Sequence, residues 1–188
     1  MIPVFLIVII IIVVIFLLLL WGYNNRFVVL DNRIRNSFAQ IDVQLKKRAD
    51  LVPNLMESVK GYMKHEQKMI REVTEARKAL VSANNTKDMA KRIKAGDMLQ
   101  NALKSIFAIA ENYPKLRANE NFLHLQQELS AIEDKVAYAR QFYNDSILAY
   151  ENSIKMFPGS LFAGILSKKA KEFMKIPEAE RKPVKVKF

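Results

Sequence analysis

The sequence predicts an all-α protein: a single N-terminal transmembrane helix, then an antiparallel four-helix bundle of the bromodomain-like, up-and-down kind. Three observations carry that expectation. Residues 1–21 contain no ionisable side chain. After them, apolar residues recur at steps of three and four, the spacing of one helix face. Glycine occurs only 5 times in 188 residues, so hairpin turns are scarce. The one alternating run that could suit a strand is Val184–Phe188 at the C-terminus.

The apolar stretch from Ile2 to Trp21 reads IPVFLIVIIIIVVIFLLLLW. As a helix, about 20 such residues span roughly 30 Å, the hydrocarbon thickness of a bilayer. A cleaved signal peptide would have a basic start, a shorter apolar core and a small-residue cleavage site. Here the start lacks Lys and Arg, and the run ends in Trp21-Gly22-Tyr23. Trp21 and Tyr23 are expected to anchor the helix at the membrane–water interface. The expected division is an anchor at 1–23, a helical bundle at 24–167 and a Lys-rich tail at 168–188.

The first basic residues after the span are Arg26, Arg33 and Arg35, followed by Lys46-Lys47-Arg48. The positive-inside rule then places the N-terminus outside and the C-terminal domain in the cytoplasm. The chain has 30 Lys and Arg against 19 Asp and Glu, a net charge of +11. Acids and bases alternate along most of the chain, which suits a solvated surface beside an anionic leaflet better than nucleic-acid binding. The basic excess is densest in the tail, where Lys168, Lys169, Lys171 and Lys175 are candidate lipid contacts.

The first helical segment carries Phe27, Leu30, Ile34, Phe38, Ile41 and Leu45 on one stripe and runs to about residue 49. Pro53 is expected to break it, with Asp50 capping the next turn, because an interior proline loses a hydrogen bond and clashes with the preceding turn. A second segment, about 51–82, has a seam of Leu55, Val59, Tyr62, Met69, Val73, Ala76 and Leu80. Thr86 is the expected cap of a third segment over about 87–111, which Asn112-Tyr113-Pro114 stops. The fourth, about 119–156, repeats Phe122, Leu125, Leu129, Ile132, Val136, Ala139 and Tyr143 in heptad spacing. Such a helix is roughly 57 Å long and packs along its neighbours at a shallow angle, as in a coiled coil. Phe157-Pro158-Gly159 ends it. The apolar Leu161–Leu166 is expected to lie against the bundle.

Phe38–Glu66 (FAQIDVQLKKRADLVPNLMESVKGYMKHE) and Asn112–Asp145 (NYPKLRANENFLHLQQELSAIEDKVAYARQFYND), with the Phe157-Pro158 stop and the PVKVKF ending, resemble the LemA family. The likeness is collinear over nearly the whole chain. One departure is Tyr150-Glu151, where the family commonly has Tyr-Asn. The resemblance implies a bacterial inner-membrane protein with a cytoplasmic four-helix bundle. It implies no particular catalytic activity. One branch of the family, in magnetotactic bacteria, works in magnetosome formation, which implies a role in organising membranes.

Chemistry-bearing residues are sparse. The absence of Cys excludes thiol catalysis and thiolate metal sites. His65 lacks a second His four residues on, and His124 lacks Glu at 121, so neither helical metal motif is present. Glu120, His124 and Glu128 instead space as a surface charge ladder. No catalytic residue, metal ligand or cofactor is predicted. The polar residues singled out, as an interaction site or as a fixer of helix register, are Arg48, Asp50, Glu66, Arg77 and Arg140. Glu66 falls on the apolar seam and is expected to pair with an Arg of a facing helix.

The function these features favour is a non-enzymatic scaffold or adaptor for membrane protein assemblies, partnered by other membrane proteins and by the membrane. Homo-oligomers are expected if the heptad stripe exceeds what one chain covers. An anionic-lipid surface module is the alternative reading, with a metal-dependent hydrolase behind it.

Overall fold

The computed structural model describes residues 3–63, 65–86 and 88–174. It is all-α, with no strand among the described residues. The helices are α1 (Val4–Lys60), α2 (Gln67–Asn84), α3 (Met89–Ala110), the short α4 (Pro114–Arg117), α5 (Glu120–Lys155) and α6 (Gly159–Ile165). Long apolar N-terminal helix and packed bundle are thus both present. The suggested strand at Val184–Phe188 and the lipid contact Lys175 lie outside the described residues. The helices form two compact units: the chain up to Phe38 with that from Arg140 onward, and the chain from Ala39 to Ala139.

In the 39–139 unit, the later half of α1 packs with α2, α3 and the first half of α5 as an antiparallel four-helix bundle. Its core takes Ile41, Leu45, Val52, Leu55 and Val59 from α1 and Val73 and Leu80 from α2. Leu99, Leu103 and Ile106 of α3 and Phe122, Leu129 and Val136 of α5 complete it. Phe107 meets Phe122 edge-on at 6.0 Å, a favoured arrangement for two ring quadrupoles. Gly96 matters here because a Cβ on it would sit 2.7 Å from Cδ2 of Leu45. The missing side chain lets α3 approach α1.

The expected break at Pro53 does not occur. α1 runs through Pro53 without interruption to Lys60, and the chain turns instead at Gly61-Tyr62. Pro53 is exposed, so its ring sits on the solvent side, and the loss is confined to one hydrogen bond, the one Ala49 would have accepted. Asp50 consequently lies inside a helix, exposed, and is not a cap. Thr86 does not cap α3 either. The carboxylate of Asp88 accepts from the backbone N–H of Lys91 at 3.1 Å, while the Thr86 hydroxyl closes the end of α2 by donating to the carbonyl of Ala83.

In the other unit, the first part of α1 packs with the later part of α5 and with α6. Phe27 and Ile34 are buried with Tyr143, Ile147, Tyr150 and Ile154. The hydroxyls of Ser37 and Ser146, both fully buried, meet at 3.2 Å. Phe38 packs on Tyr143, and the Arg33 guanidinium lies 4.8 Å from the Phe142 ring centre. α6 rests on the apolar end of α1. Its Phe162 ring stacks on Tyr23 at 4.9 Å and meets Phe16 at 5.7 Å. A Cβ at Gly159 would lie 2.1 Å from the carbonyl oxygen of Ser153, so only glycine fits that corner.

The heptad stripe of α5 is buried along its whole length, from Phe122 to Ile154. Each unit covers its own share of the stripe, while Leu123, Tyr138 and Leu148 of the same helix are exposed.

Candidate functional site

The polar residues singled out from sequence fall into separate settings. Arg48 is 1% exposed and the most deeply placed cation of the bundle. Its guanidinium donates to the Glu133 carboxylate of α5 and, at 3.4 Å, to the Gly96 carbonyl of α3. One side chain from α1 thereby ties three helices. Sequence reasoning missed Glu133, which stands beside the α5 stripe with no local feature marking it as the partner of a residue 85 positions away.

Arg77 of α2 points to α1. Its Nε–H donates to the carbonyl of Ala49 at 2.8 Å. That carbonyl is the one left without its helical donor by Pro53, four residues on. Arg77 therefore completes the hydrogen bonding of a helix to which it does not belong.

Glu66 does not lie on a buried seam. Because α1 extends to Lys60, Glu66 falls in the turn before α2, half-buried, and accepts a hydrogen bond from the Tyr113 hydroxyl at 3.0 Å. The partner is a tyrosine from the α3–α4 connection and not an arginine. The carboxylate holds the phenol above its ordinary pKa, chiefly by accepting that proton. A further polar link was not foreseen: Arg92 of α3 pairs with Asp42 of α1 and donates to the Thr86 carbonyl. Burial raises the Asp42 carboxyl pKa, with Arg92 pulling the other way. Arg140 is half-buried on α5 in the unit that holds the first part of α1.

In that unit, Lys171 folds back onto α1. It pairs with Asp31 and stands 5.4 Å from the Tyr150 ring centre. Asn144 fixes the same strap, accepting from the Met174 N–H at 2.9 Å and donating to the Met174 carbonyl at 3.2 Å. Between strap and helix lies a cavity of about 570 Å³, lined by Phe27, Asp31, Arg35, Tyr150, Lys168 and Lys169 among others. Of the proposed lipid contacts, Lys171 is therefore engaged by α1, Lys169 is exposed and Lys168 is half-exposed. Trp21 is 66% exposed. Tyr23 is half-buried under α6.

The Asp31 carboxyl lies below its ordinary pKa, first through the hydrogen bond from Lys171, then through the charges of Lys171 and Arg35, against an opposing effect of burial. A depressed carboxyl pKa contributes stability that is present above the unfolded value, about 3.9, and is lost as pH falls through the folded one. A carbon-13 titration of the Asp31 carboxyl in the micelle-embedded protein should show the depressed midpoint. Lys171→Met should return it toward 3.9. An unmoved midpoint would mean that Lys171 does not hold Asp31 in solution.

His124 lies 3.9 Å from Glu128 on the exposed face of α5. Among the described residues, no group of three or more His, Asp or Glu side chains could hold a metal ion. What the arrangement offers chemically is a set of hydrogen-bonded cations between helices, of which Arg48 is buried and Arg77 and Arg92 are half-buried.

Residues 37–188 match the model of the LemA family. Protein LemA of Metamycoplasma hominis is 26% identical over 137 residues, which cover 72% of this chain and 61% of that protein. Magnetosome protein MamQ of Magnetospirillum gryphiswaldense is 23% identical over 183 residues, 85% of this chain and 67% of that protein. Magnetosome protein MamQ 1 of Paramagnetospirillum magneticum is 29% identical over 84 residues, 45% of this chain and 31% of that protein. The chain thus spans about three fifths to two thirds of the first two relatives and a third of the last.

Proposed function

The chain belongs to the LemA family, and on that premise we propose that it is a non-enzymatic scaffold or adaptor. It crosses the bacterial inner membrane once and presents its bundle to other membrane proteins in the cytoplasm. The observation that carries this reading is the continuity of α1. The apolar stretch that could cross a membrane is not buried anywhere inside the protein, and the same helix continues unbroken to Lys60 in the bundle. A helix shared between bilayer and bundle suits a protein whose task is to hold partners at a membrane. Two of the relatives are named magnetosome proteins, and a role in organising membranes is the reading we take from that likeness. Buried Arg48 and half-buried Arg77 and Arg92 are all bonded within the bundle, so recognition would fall to its outer surface.

A second reading, recognition of anionic lipid, draws on the cavity beside Lys168 and Lys169. One preparation distinguishes the two. The full chain, cross-linked in cells and extracted in mild detergent, is expected to carry a membrane protein at fixed stoichiometry. Enrichment of anionic lipid alone, lost in Lys168→Glu/Lys169→Glu, would favour the second reading. A chain carrying neither would remove both. A reporter fused at the C-terminus should be active only in its cytoplasmic form.

A further inference from the structure

The corner between α5 and α6 carries an apolar surface that neither the bundle nor the anchor uses. Met156 is 64% exposed, Phe157 85%, Leu161 53% and Ile165 52%. Singly, exposed apolar side chains need no explanation, but a contiguous set does. From Met156 to Ser167 there is no ionisable side chain, whereas Lys155 precedes the stretch and Lys168, Lys169 and Lys171 follow it.

The depth of this corner can be read against α1. Phe162 of α6 touches Phe16 and Tyr23, which bracket Trp21. Phe16 lies five residues before Trp21, about 7.5 Å further along the helix at 1.5 Å per residue. If Trp21 sits at the interface, the contact with Phe16 is inside the hydrocarbon. Backbone polar groups at that level must be satisfied within the protein. They are served locally: Ser160 N–H donates to the Met156 carbonyl, Leu161 to Pro158, Leu166 to Phe162, Ser167 to Gly164 and Lys168 to Ala163.

We propose that residues 156–166 form a second membrane element, a short segment immersed in the same leaflet beside the anchor helix. Its exposed Phe157, Leu161 and Ile165 meet acyl chains, and Lys155, Lys168 and Lys169 reach the headgroups. Long basic side chains on both flanks of an apolar interfacial segment suit that placement. The proposal rests on the reading of α1 as a membrane anchor.

The chain contains no cysteine, so single cysteines can be placed without background. Full-length Ile12→Cys, Phe157→Cys, Leu161→Cys and Gln141→Cys, each carrying an environment-sensitive fluorophore, would be reconstituted into phosphatidylethanolamine–phosphatidylglycerol vesicles with and without spin-labelled lipid. Ile12 reports the anchor, and Gln141, exposed on α5, reports water. The proposal expects blue-shifted emission at 12, 157 and 161 and not at 141, quenched at 157 and 161 by a spin label near the top of the acyl chain and at 12, about 13.5 Å deeper than Trp21, by one near its end. Quenching at 12 with water-like emission at 157 and 161 overturns the second element alone. Blue-shifted but unquenched labels at 157 and 161 overturn it in favour of a protein-covered surface. An unquenched label at 12 overturns the anchor reading, and the proposal with it.

Discussion

Arg77→Ala destabilises the bundle by about 1–3 kcal/mol in the native sequence and by clearly less when Pro53 is also replaced by alanine. Three facts produce this expectation. Pro53 cannot donate to Ala49, and its ring pushes against that carbonyl. The Arg77 Nε–H meets the carbonyl at 2.8 Å. A polar group in a packed interior that loses its only strong partner costs roughly 1–3 kcal/mol. In Pro53→Ala, residue 53 regains an N–H and the helix supplies its own donor, so the arginine becomes dispensable for that bond. Arg77→Ala also removes the packing of the arginine stem, but it does so in both backgrounds, and the double-mutant cycle cancels it. Denaturant unfolding of the four full-length proteins in one detergent, followed by helical circular dichroism, measures the coupling. Equal losses in both backgrounds would mean that Arg77 acts through something other than the proline-orphaned carbonyl.

Removing Glu133 should cost more. Arg48 is 1% exposed, and Glu133→Ala leaves its guanidinium without that carboxylate while still held inside the bundle. Breaking a buried pair from one side costs about 3–5 kcal/mol. The side chain of Glu133 is 29% exposed, which admits some screening and places the expected loss near 3 kcal/mol. Replacing both partners, Arg48→Met with Glu133→Leu, should recover most of that loss, because the pair's attraction is largely offset by its desolvation. The same unfolding assay decides it. A loss below about 1 kcal/mol for Glu133→Ala would place this pair with exposed ion pairs. A double variant as unstable as the single one would mean that Arg48 specifies the packing of α1, α3 and α5 beyond its charge.

Much of this architecture was legible because helical burial is periodic and local. The α5 stripe from Phe122 to Tyr143, read at steps of three and four, is buried residue for residue. The stops at Asn112-Tyr113-Pro114 and Phe157-Pro158-Gly159 also end helices, since proline chemistry acts on its immediate neighbours. Pro53 misled because its local cost was offset from α2, by an arginine 28 positions away from the carbonyl it serves. That one error moved the first break to Gly61-Tyr62 and lifted Glu66 off the seam into a turn, where its partner is Tyr113. Gly61 directly after Lys60 was the available signal for the true end of α1.

What the sequence by itself determined is the helical class, the length and apolarity of the N-terminal apolar stretch, the inward stripe of most helices and membership of a family of membrane-associated proteins. These depend on residue type and short-range spacing alone. Only the tertiary structure decided which polar groups meet: Arg48 with Glu133, Arg77 with Ala49, Arg92 with Asp42, and Lys171 with Asp31. It also decided that α6 lies on α1, through Phe162 with Phe16 and Tyr23. A charge or a ring carries no periodic mark of its partner. Its energy comes from the distance, direction and dielectric of a contact that exists only once distant segments have packed.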